Sequence, residues 1–513
     1  MSAKFSSGIK FALHWLISIA LLVCVLVVAR MLWVFRDRFP GYSLLVHVDA
    51  PRTLAPDAVF RVGFSQADIT PKIDDPAHPV WIAGFSQGRL AKSVHDPLRA
   101  VAMVIDDGKT RIGIVSLDAI GFFHDDVLRV REKIPEALRL THTIVCSTHN
   151  HSTPDLMGLW GPNVLTSGVD SHYKQQVIHA SVKALVEASG RLQPARMAAH
   201  EIETSPAGLV KDTRPPEVYD PDIRVLHFIK ADSTETIGSL ITWANHPETP
   251  WSENQDLTAD FPGYIRDALE KGIVYGDQIM QPGLGGIHMY INGAVGGLMT
   301  THPSTTVHDP FLNRDFKDPS HDKTRALGNN LAQRILNRLH AASPSTDSQP
   351  TIGIRARTLD LPMPNNGFLL AGFLGLINRG HVGWRKIRSE IAVLSLGDAS
   401  IACIPGEIYP EIVNGGIVRA PGGDFDIEPL EIPPLRTLMP GKVKFIFGLA
   451  NDEIGYIIPK SEWDNEPPFL FHSHSRPYGE VNSLGPNTAS LLHQALSKEL
   501  LILSKSSRPT HVP

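Results

Sequence analysis

The chain has 513 residues, with 48 Lys and Arg against 53 Asp and Glu, a formal net charge of −5. The near balance and the lack of a basic block exclude a nucleic-acid surface of the electrostatic kind. Three Cys exclude a disulfide framework, the length allows a large core, and 23 His gathered after apolar segments direct attention to metal chemistry.

The first element is an apolar run of 19 residues from Phe11 to Ala29, interrupted only by His14 and Ser18 and long enough to span a bilayer. Lys4 and Lys10 precede it and Arg30, Arg36 and Arg38 follow, so the positive-inside rule sets no orientation. A signal peptide cleaved after Ala29 is the rival reading. The run exceeds a usual signal core, which favours an uncleaved anchor. Cys24 lacks the small preceding residue that lipidation requires, since Val23 stands there. Either reading sends the body out of the cytoplasm, to the periplasm or the extracellular side, secreted if cleavage occurs. The expected divisions are an anchor or signal over 1–34, a polar connector over 35–58, one large body over 59–505 and a tail over 506–513.

In the body, Leu98–Asp106 and Arg111–Asp118 flank Asp107-Gly108-Lys109, a hairpin signal. A helix is predicted from His124 to about Leu138. Thr143-Ile144-Val145-Cys146-Ser147 reads as a buried strand ending at Thr148-His149-Asn150-His151, where residues two apart share one face and two imidazoles enter the same space. Ser171 to about Ala188 is a helix ended by Gly190, and Ile223–Lys230 pairs with Thr236–Trp243 in a second hairpin. The strand Ile241–Asn245 runs out at His246. A helix opens at Asp260, its expected N-cap, and reaches Lys271. Asp322–His340 is amphipathic, with Leu327, Leu331, Ile335 and Leu339 on one face. Gly367–Leu376 is apolar but too short to span; it reads as a buried helix with a basic outer face or as a membrane-dipping segment. Ser400–Ile404 leads into Pro405-Gly406-Glu407, and Val443–Gly448 leads toward Tyr456. The last helix runs from Pro486 to Leu503. Cys146 and Cys403 fit either a bridge or two small buried thiols. Hairpins mixed with strand-helix units predict an α/β fold, a layered mixed β-sheet core with flanking helices behind one N-terminal transmembrane helix.

Apolar strands that deliver His149, His151, His246, Glu407 and Tyr456 at their exits resemble one rim carrying one metal site. Taken singly, each donor also has an ordinary reading as a core or turn residue. Asp260 and Asn292 are candidates for orienting ligand imidazoles, beside a cap and a turn role respectively.

Over roughly residues 60–500 the chain resembles the neutral/alkaline non-lysosomal ceramidases. The resemblance rests on Val62–Pro71, on Gly84-Phe85-Ser86-Gln87-Gly88-Arg89 with His95-Asp96-Pro97-Leu98, and on Thr148–Ser152. Pro405-Gly406-Glu407, Gly455-Tyr456 and Tyr478-Gly479-Glu480 before Gly485-Pro486 follow in the family's order. It implies zinc held by His149, His246, Glu407 and Tyr456, with His151 contacting substrate or the developing oxyanion. The implied reaction is cleavage of an amide in ceramide or a related N-acyl lipid by metal-activated water, with the membrane and an amphiphilic lipid as partners.

Two stretches depart from the family. Its active-site serine corresponds to Gly296 in Ala294-Val295-Gly296-Gly297, so the expectation is either slow hydrolysis of ceramide or use of a backbone N–H or Thr300 instead. Pro247-Glu248-Thr249-Pro250 stands where the family has Gly-Thr-Ser. The chain ends soon after Tyr456, so the family's C-terminal immunoglobulin-like domain is expected to be absent. Two rival functions stay open. One is ester or phosphoester hydrolysis, the latter with a second metal on Asp118, Asp155 or Asp260. The other is a membrane-tethered protein that retains zinc without turnover.

Overall fold

Apolar strands with both faces buried dominate the body, and the computed structural model shows what covers each face; it describes residues 2–51, 53–55, 58–341 and 349–506. Of the expected tail over 506–513, all but residue 506 lies outside the described residues. In chain order the first half comprises α1 (Ser2–Val34), β1 (Leu45–Val48), β2 (Arg61–Asp68), β3 (Arg99–Asp106), β4 (Arg111–Leu117), α2 (His124–Glu132), β5 (His142–Ser147), α3 (Ser171–Gly190) and β6 (Gln193–Ile202). The second half continues with β7 (Ile223–Lys230), β8 (Thr236–Trp243), α4 (Asp260–Lys271), β9 (Ile287–Asn292), α5 (His321–Ala341), β10 (Ile352–Pro362), α6 (Asn366–Leu374), β11 (Lys386–Leu396), β12 (Ala399–Cys403), β13 (Val443–Phe447) and α7 (Thr488–Ser506).

The layered α/β body is built on two mixed sheets. Eight strands run in the order β9-β8-β7-β6-β2-β3-β4-β5 and five in the order β1-β10-β11-β12-β13. Pairing is antiparallel except for β8 with β9, β4 with β5, and β12 with β13. The two-residue alternation of a strand explains the layers. In β11, Ala392, Leu394 and Leu396 face the core shared by both sheets, while Ile391 and Val393 face outward against Leu492, Leu496 and Leu500 of α7. In β5, Ile144 and Cys146 enter the shared core and Val145 enters the cluster beneath α3. Helices α4 and α5 cover the outer face of β8 and β9, with Phe261, Leu331 and Ile335 against Ile241 and Tyr290. The result is a helix–sheet–sheet–helix stack.

Local chemistry accounts for the element ends. Between β3 and β4, Asp106 accepts from the Gly108 N–H and Asp107 from the Thr110 N–H, while Gly108 takes φ +86°. Asp170 caps α3 by accepting from His172 and Tyr173 N–H. α3 continues through Gly190 instead of stopping before it. The predicted helix from His124 stops at Glu132, and only a 3-10 turn, Glu136–Leu138, follows Pro135, whose ring does not fit a continuing helix. Asp260 is not a cap: Ala259 precedes the helix, and Asp260 itself has φ +54°. α6 is not a buried helix, since Gly372 is its one buried residue. Cys146 and Cys403 are free buried thiols. α1 holds a 24-residue stretch, Phe11–Val34, of mean hydropathy 2.7, long and apolar enough to cross a membrane.

The two sheets are stitched together along one rim. After β13 the chain turns back through Leu449 and Asn451, both at positive φ, and lies against β5. Asn451 N–H donates to Val145 O at 2.7 Å and Val145 N–H donates to Asn451 Oδ1 at 2.9 Å. Behind this seam Glu390 of β11 is fully buried and accepts from both Arg131 terminal nitrogens, from His142 of β5 at 3.0 Å, and from Asn451 Nδ2 at 2.9 Å. Burial alone would raise the Glu390 pKa; Arg131 and then His142 outweigh it and hold the carboxyl well below its ordinary value. A carboxyl whose pKa falls on folding contributes stability above the unfolded value, near 4.5, and loses it as the pH drops below that. Replacing Glu390 with Gln strands a buried guanidinium and is expected to cost about 3–5 kcal/mol at pH 7. Denaturation at several pH values checks this, with the deficit shrinking below about pH 4.5.

Candidate metal centre and active site

The rim sequence places four donors from both sheets within reach of one point. His149 follows β5 with φ +65°, a strained backbone for a side chain with a Cβ. Its Nδ1 lies 2.7 Å from the Ile120 carbonyl. His246 follows β8, with Nδ1 at 2.6 Å from the Met299 carbonyl. A carbonyl only accepts, so both Nδ1 atoms carry the hydrogen and both Nε2 atoms present lone pairs in the neutral rings. Those Nε2 atoms stand 3.3 Å (His149) and 3.1 Å (His246) from the same atom, Glu407 Oε2. The Tyr456 hydroxyl is 3.4 Å from His246 Nε2. Glu407 and Tyr456 face each other in a short parallel ladder after β12 and β13.

Lone pairs aimed at a carboxylate oxygen repel unless a positive charge lies between them. Without a metal that charge is a proton. Burial lowers the His246 pKa, but the hydrogen bond to Glu407, the charges of Glu248 and Glu407 and the bond to Met299 O together outweigh it and the net shift is upward. Burial would raise Glu407, and His149 followed by His246 outweighs it in the other direction. Burial pushes the Tyr456 phenol upward, Glu407 adding to the effect. Two imidazoles, a carboxylate and a phenol, all buried, form a donor set suited to a borderline divalent cation.

His151 also joins the group: the ligating nitrogens of His149, His151 and His246 lie within 4.8 Å of one another. Its Nδ1 is 2.9 Å from Glu248 Oε2, in poor hydrogen-bond alignment, and its Nε2 has no partner. Burial pushes the ring down to about 4, against the opposing pull of Glu248. Gly84 makes room for it, because a Cβ there would lie 2.6 Å from the imidazole. Buried Arg89 fixes the surrounding backbone by donating to Ala83, Gly84, His151 and Asn254 carbonyls.

Asp260 does not touch a ligand imidazole. Its carboxylate accepts from Thr249 N–H at 2.8 Å and so pins the loop after His246. Asn292, at the end of β9, is more than a turn residue. Its Nδ2 donates to Thr148 O at 3.0 Å and Asn245 O at 2.9 Å, tying together the backbone before both histidines. The three acids considered for a second metal are engaged elsewhere. Asp118 is paired with Arg266 at 2.9 and 2.7 Å, Asp155 accepts from three backbone N–H groups, and Asp260 holds Thr249. Besides Glu407, two other carboxylates stand beside the histidines: Glu248 against His151, and Glu453, which lines the same pocket and accepts from Gly455 N–H.

Reasoning from sequence missed Glu248, although its place two residues after His246 was a usable signal. It also missed the Ile120 and Met299 carbonyls, which no residue type could reveal. The expectation for Gly296 needs correction. Its N–H donates to Ile408 O at 2.9 Å and is not free for an oxyanion. A Cβ on Gly296 would fall 2.4 Å from the Tyr409 ring and 2.6 Å from backbone atoms of Ile408 and Tyr409. Thr300 is better placed, its buried hydroxyl beside Glu248. From the donors an apolar pocket extends past Ile120, Phe123 and Met157 to Phe368, Gly372 and Ile377. A more polar opening, bordered by Thr213, Glu248, Thr300 and His302, lies on the other side.

The stacked sheets with donors on strand exits form one layered α/β domain. Residues 60–284 match the family model described as neutral/alkaline non-lysosomal ceramidase, N-terminal. The fold is similar to that of the neutral ceramidase from Pseudomonas aeruginosa, with 17% identity, TM-score 0.63, and coverage of 88% of this chain and 75% of that one. A structure described as ceramidase complexed with C2 is similar at 18% identity and TM-score 0.64, covering 88% and 76% respectively. No curated protein matches the chain.

The crowding at Gly296 yields a measurable consequence. Gly296→Ser is expected to destabilise the fold by about 1–3 kcal/mol or more through overpacking, without raising hydrolysis. Thermal unfolding beside an activity assay checks both parts.

Proposed function

We propose that the protein is a membrane-anchored zinc hydrolase that cleaves the amide of ceramide or a related N-acyl lipid. One observation carries the reading: two imidazole Nε2 lone pairs converge on Glu407 Oε2, with the Tyr456 hydroxyl 3.4 Å from His246 Nε2, in a buried pocket continuous with an apolar channel. His149, His246, Glu407 and Tyr456 are the residues that would hold the zinc. When bound, it supplies Lewis acidity and brings the ionisation of water to near pH 7, about nine units below bulk water.

The chain's own residues do the rest. Ile120 and Met299 carbonyls lock both ligand rings in the tautomer that leaves Nε2 free. The apolar pocket takes the acyl chain and excludes water from it, while the amide lies between the donors and His151. His151 Nε2, neutral and unpartnered, takes the proton released on attack and returns it to the departing amine. Glu248, beside Nδ1, stabilises the imidazolium that forms meanwhile. Thr300 is the remaining hydroxyl near the developing oxyanion. α1 tethers this body to a bilayer, with the catalytic domain on the non-cytoplasmic side.

His149→Ala and Glu407→Ala are expected to lose zinc and hydrolysis together, whereas His151→Ala keeps zinc and loses about 10²–10⁴ in rate. Elemental analysis beside a screen of N-acyl lipid amides and esters tests this. A full zinc complement in His149→Ala overturns the ligand assignment. Zinc retained by a wild-type protein that turns over no amide or ester favours a binding role instead.

A further inference from the structure

The apolar helix α6 has no protein covering it. Its residues are apolar from Gly367 to Leu374, yet Gly372 is its one buried position. Leu370 is 58% exposed and Leu374 44%, and Trp384 just beyond is 60% exposed. Such a patch on a water-facing surface is unfavourable and marks an interaction site. Its location says with what.

α6 packs on the end of α1. The Phe35 ring would lie 3.3 Å from a Cβ at Gly372, and Val34 sits beside it. Arg30 Nε donates to Phe373 O at 3.0 Å, and Arg38 donates to Asn378 O at 2.9 Å. Phe35 meets His381 and Trp384 edge-on, with ring centres 4.8 and 5.8 Å apart. At about 1.5 Å per residue, the apolar stretch of α1 uses up the hydrocarbon thickness by Val34. The contact therefore occurs where α1 leaves the bilayer. Trp33 and Trp384 are exposed at that level, where tryptophan favours the headgroup layer, and Lys386 adds an exposed cation suited to lipid phosphate. On its inner side α6 contributes Phe368 and Gly372 to the apolar pocket that ends at the metal donors.

We infer that α6 lies in the headgroup–acyl boundary of the leaflet where α1 emerges, forming the gate through which a membrane lipid enters the pocket directly. The inference rests on α1 being a bilayer anchor and on the pocket being the acyl site. The occupant of the patch is a lipid surface.

The test uses the full chain in vesicles of phosphatidylcholine and phosphatidylglycerol, with Cys24→Ser and an environment-sensitive fluorophore at Leu370→Cys; buried Cys146 and Cys403 stay unlabelled. Emission shifted to the blue and quenched by acyl-brominated phosphatidylcholine is expected, while the same label at Ile279→Cys, 61% exposed in the short hairpin that follows α4, stays water-like. Water-like, unquenched emission at position 370 overturns the docking, whatever the hydrolysis assays show. The gate is read separately with the Leu370→Glu, Leu374→Glu double variant. KM for a long-chain N-acyl lipid in vesicles should rise about tenfold, equivalent to about 1.4 kcal/mol, with a soluble short-chain amide cleaved as before. An unchanged vesicle KM overturns the entry route. If the wild type hydrolyses no amide, the proposed function fails while the quenching result still decides the docking.

Discussion

The backbone pairing of the Leu449–Asn451 turn with β5 is the contact on which the site depends. It joins the rim of the five-stranded sheet to the edge strand of the eight-stranded one, and both sheets contribute donors. His149 leaves β5 and His246 leaves β8; Glu407 and Tyr456 follow β12 and β13. A slip between the sheets would part the imidazoles from the carboxylate. The buried Glu390 cluster sits behind this seam and makes such a slip expensive, because moving it would separate a buried carboxylate from Arg131, His142 and Asn451.

Electrostatics then narrow what the rim can do. Glu407 is a buried acid between two nitrogen lone pairs, an arrangement that is stable with a cation and poor without one. Asp118, Asp155 and Asp260 are committed to guanidinium or backbone partners and do not add to the donors at this point. Gly296 is packed against Ile408 and Tyr409, while Glu248 places a carboxylate against His151. One wall of the pocket thus holds a histidine–glutamate pair, and the other holds the two imidazoles, the carboxylate and the phenol.

The apolar pocket and the N-terminal helix meet at one place. The channel runs from the donors to α6, and α6 rests on the last turn of α1. For the proposed lipid substrate, far more soluble in a bilayer than in water, a pocket opening at the membrane would spare a passage through solvent.

Much of this was legible in the residues themselves. The apolar span of α1, the hairpins, the amphipathic helices and the strand exits at His149, His246, Glu407 and Tyr456 follow from local patterning, since period, turn chemistry and donor type are properties of short segments. Tertiary structure decided the division into two sheets, because a strand buried on both faces reads the same whether helices or another sheet cover it. It decided that Gly296 has no room for a side chain, that Asp260 holds a loop while Asn292 ties the two histidine segments, and that α6 stays uncovered. These depend on which distant backbone arrives beside a given residue, and a one-dimensional pattern does not encode that arrival.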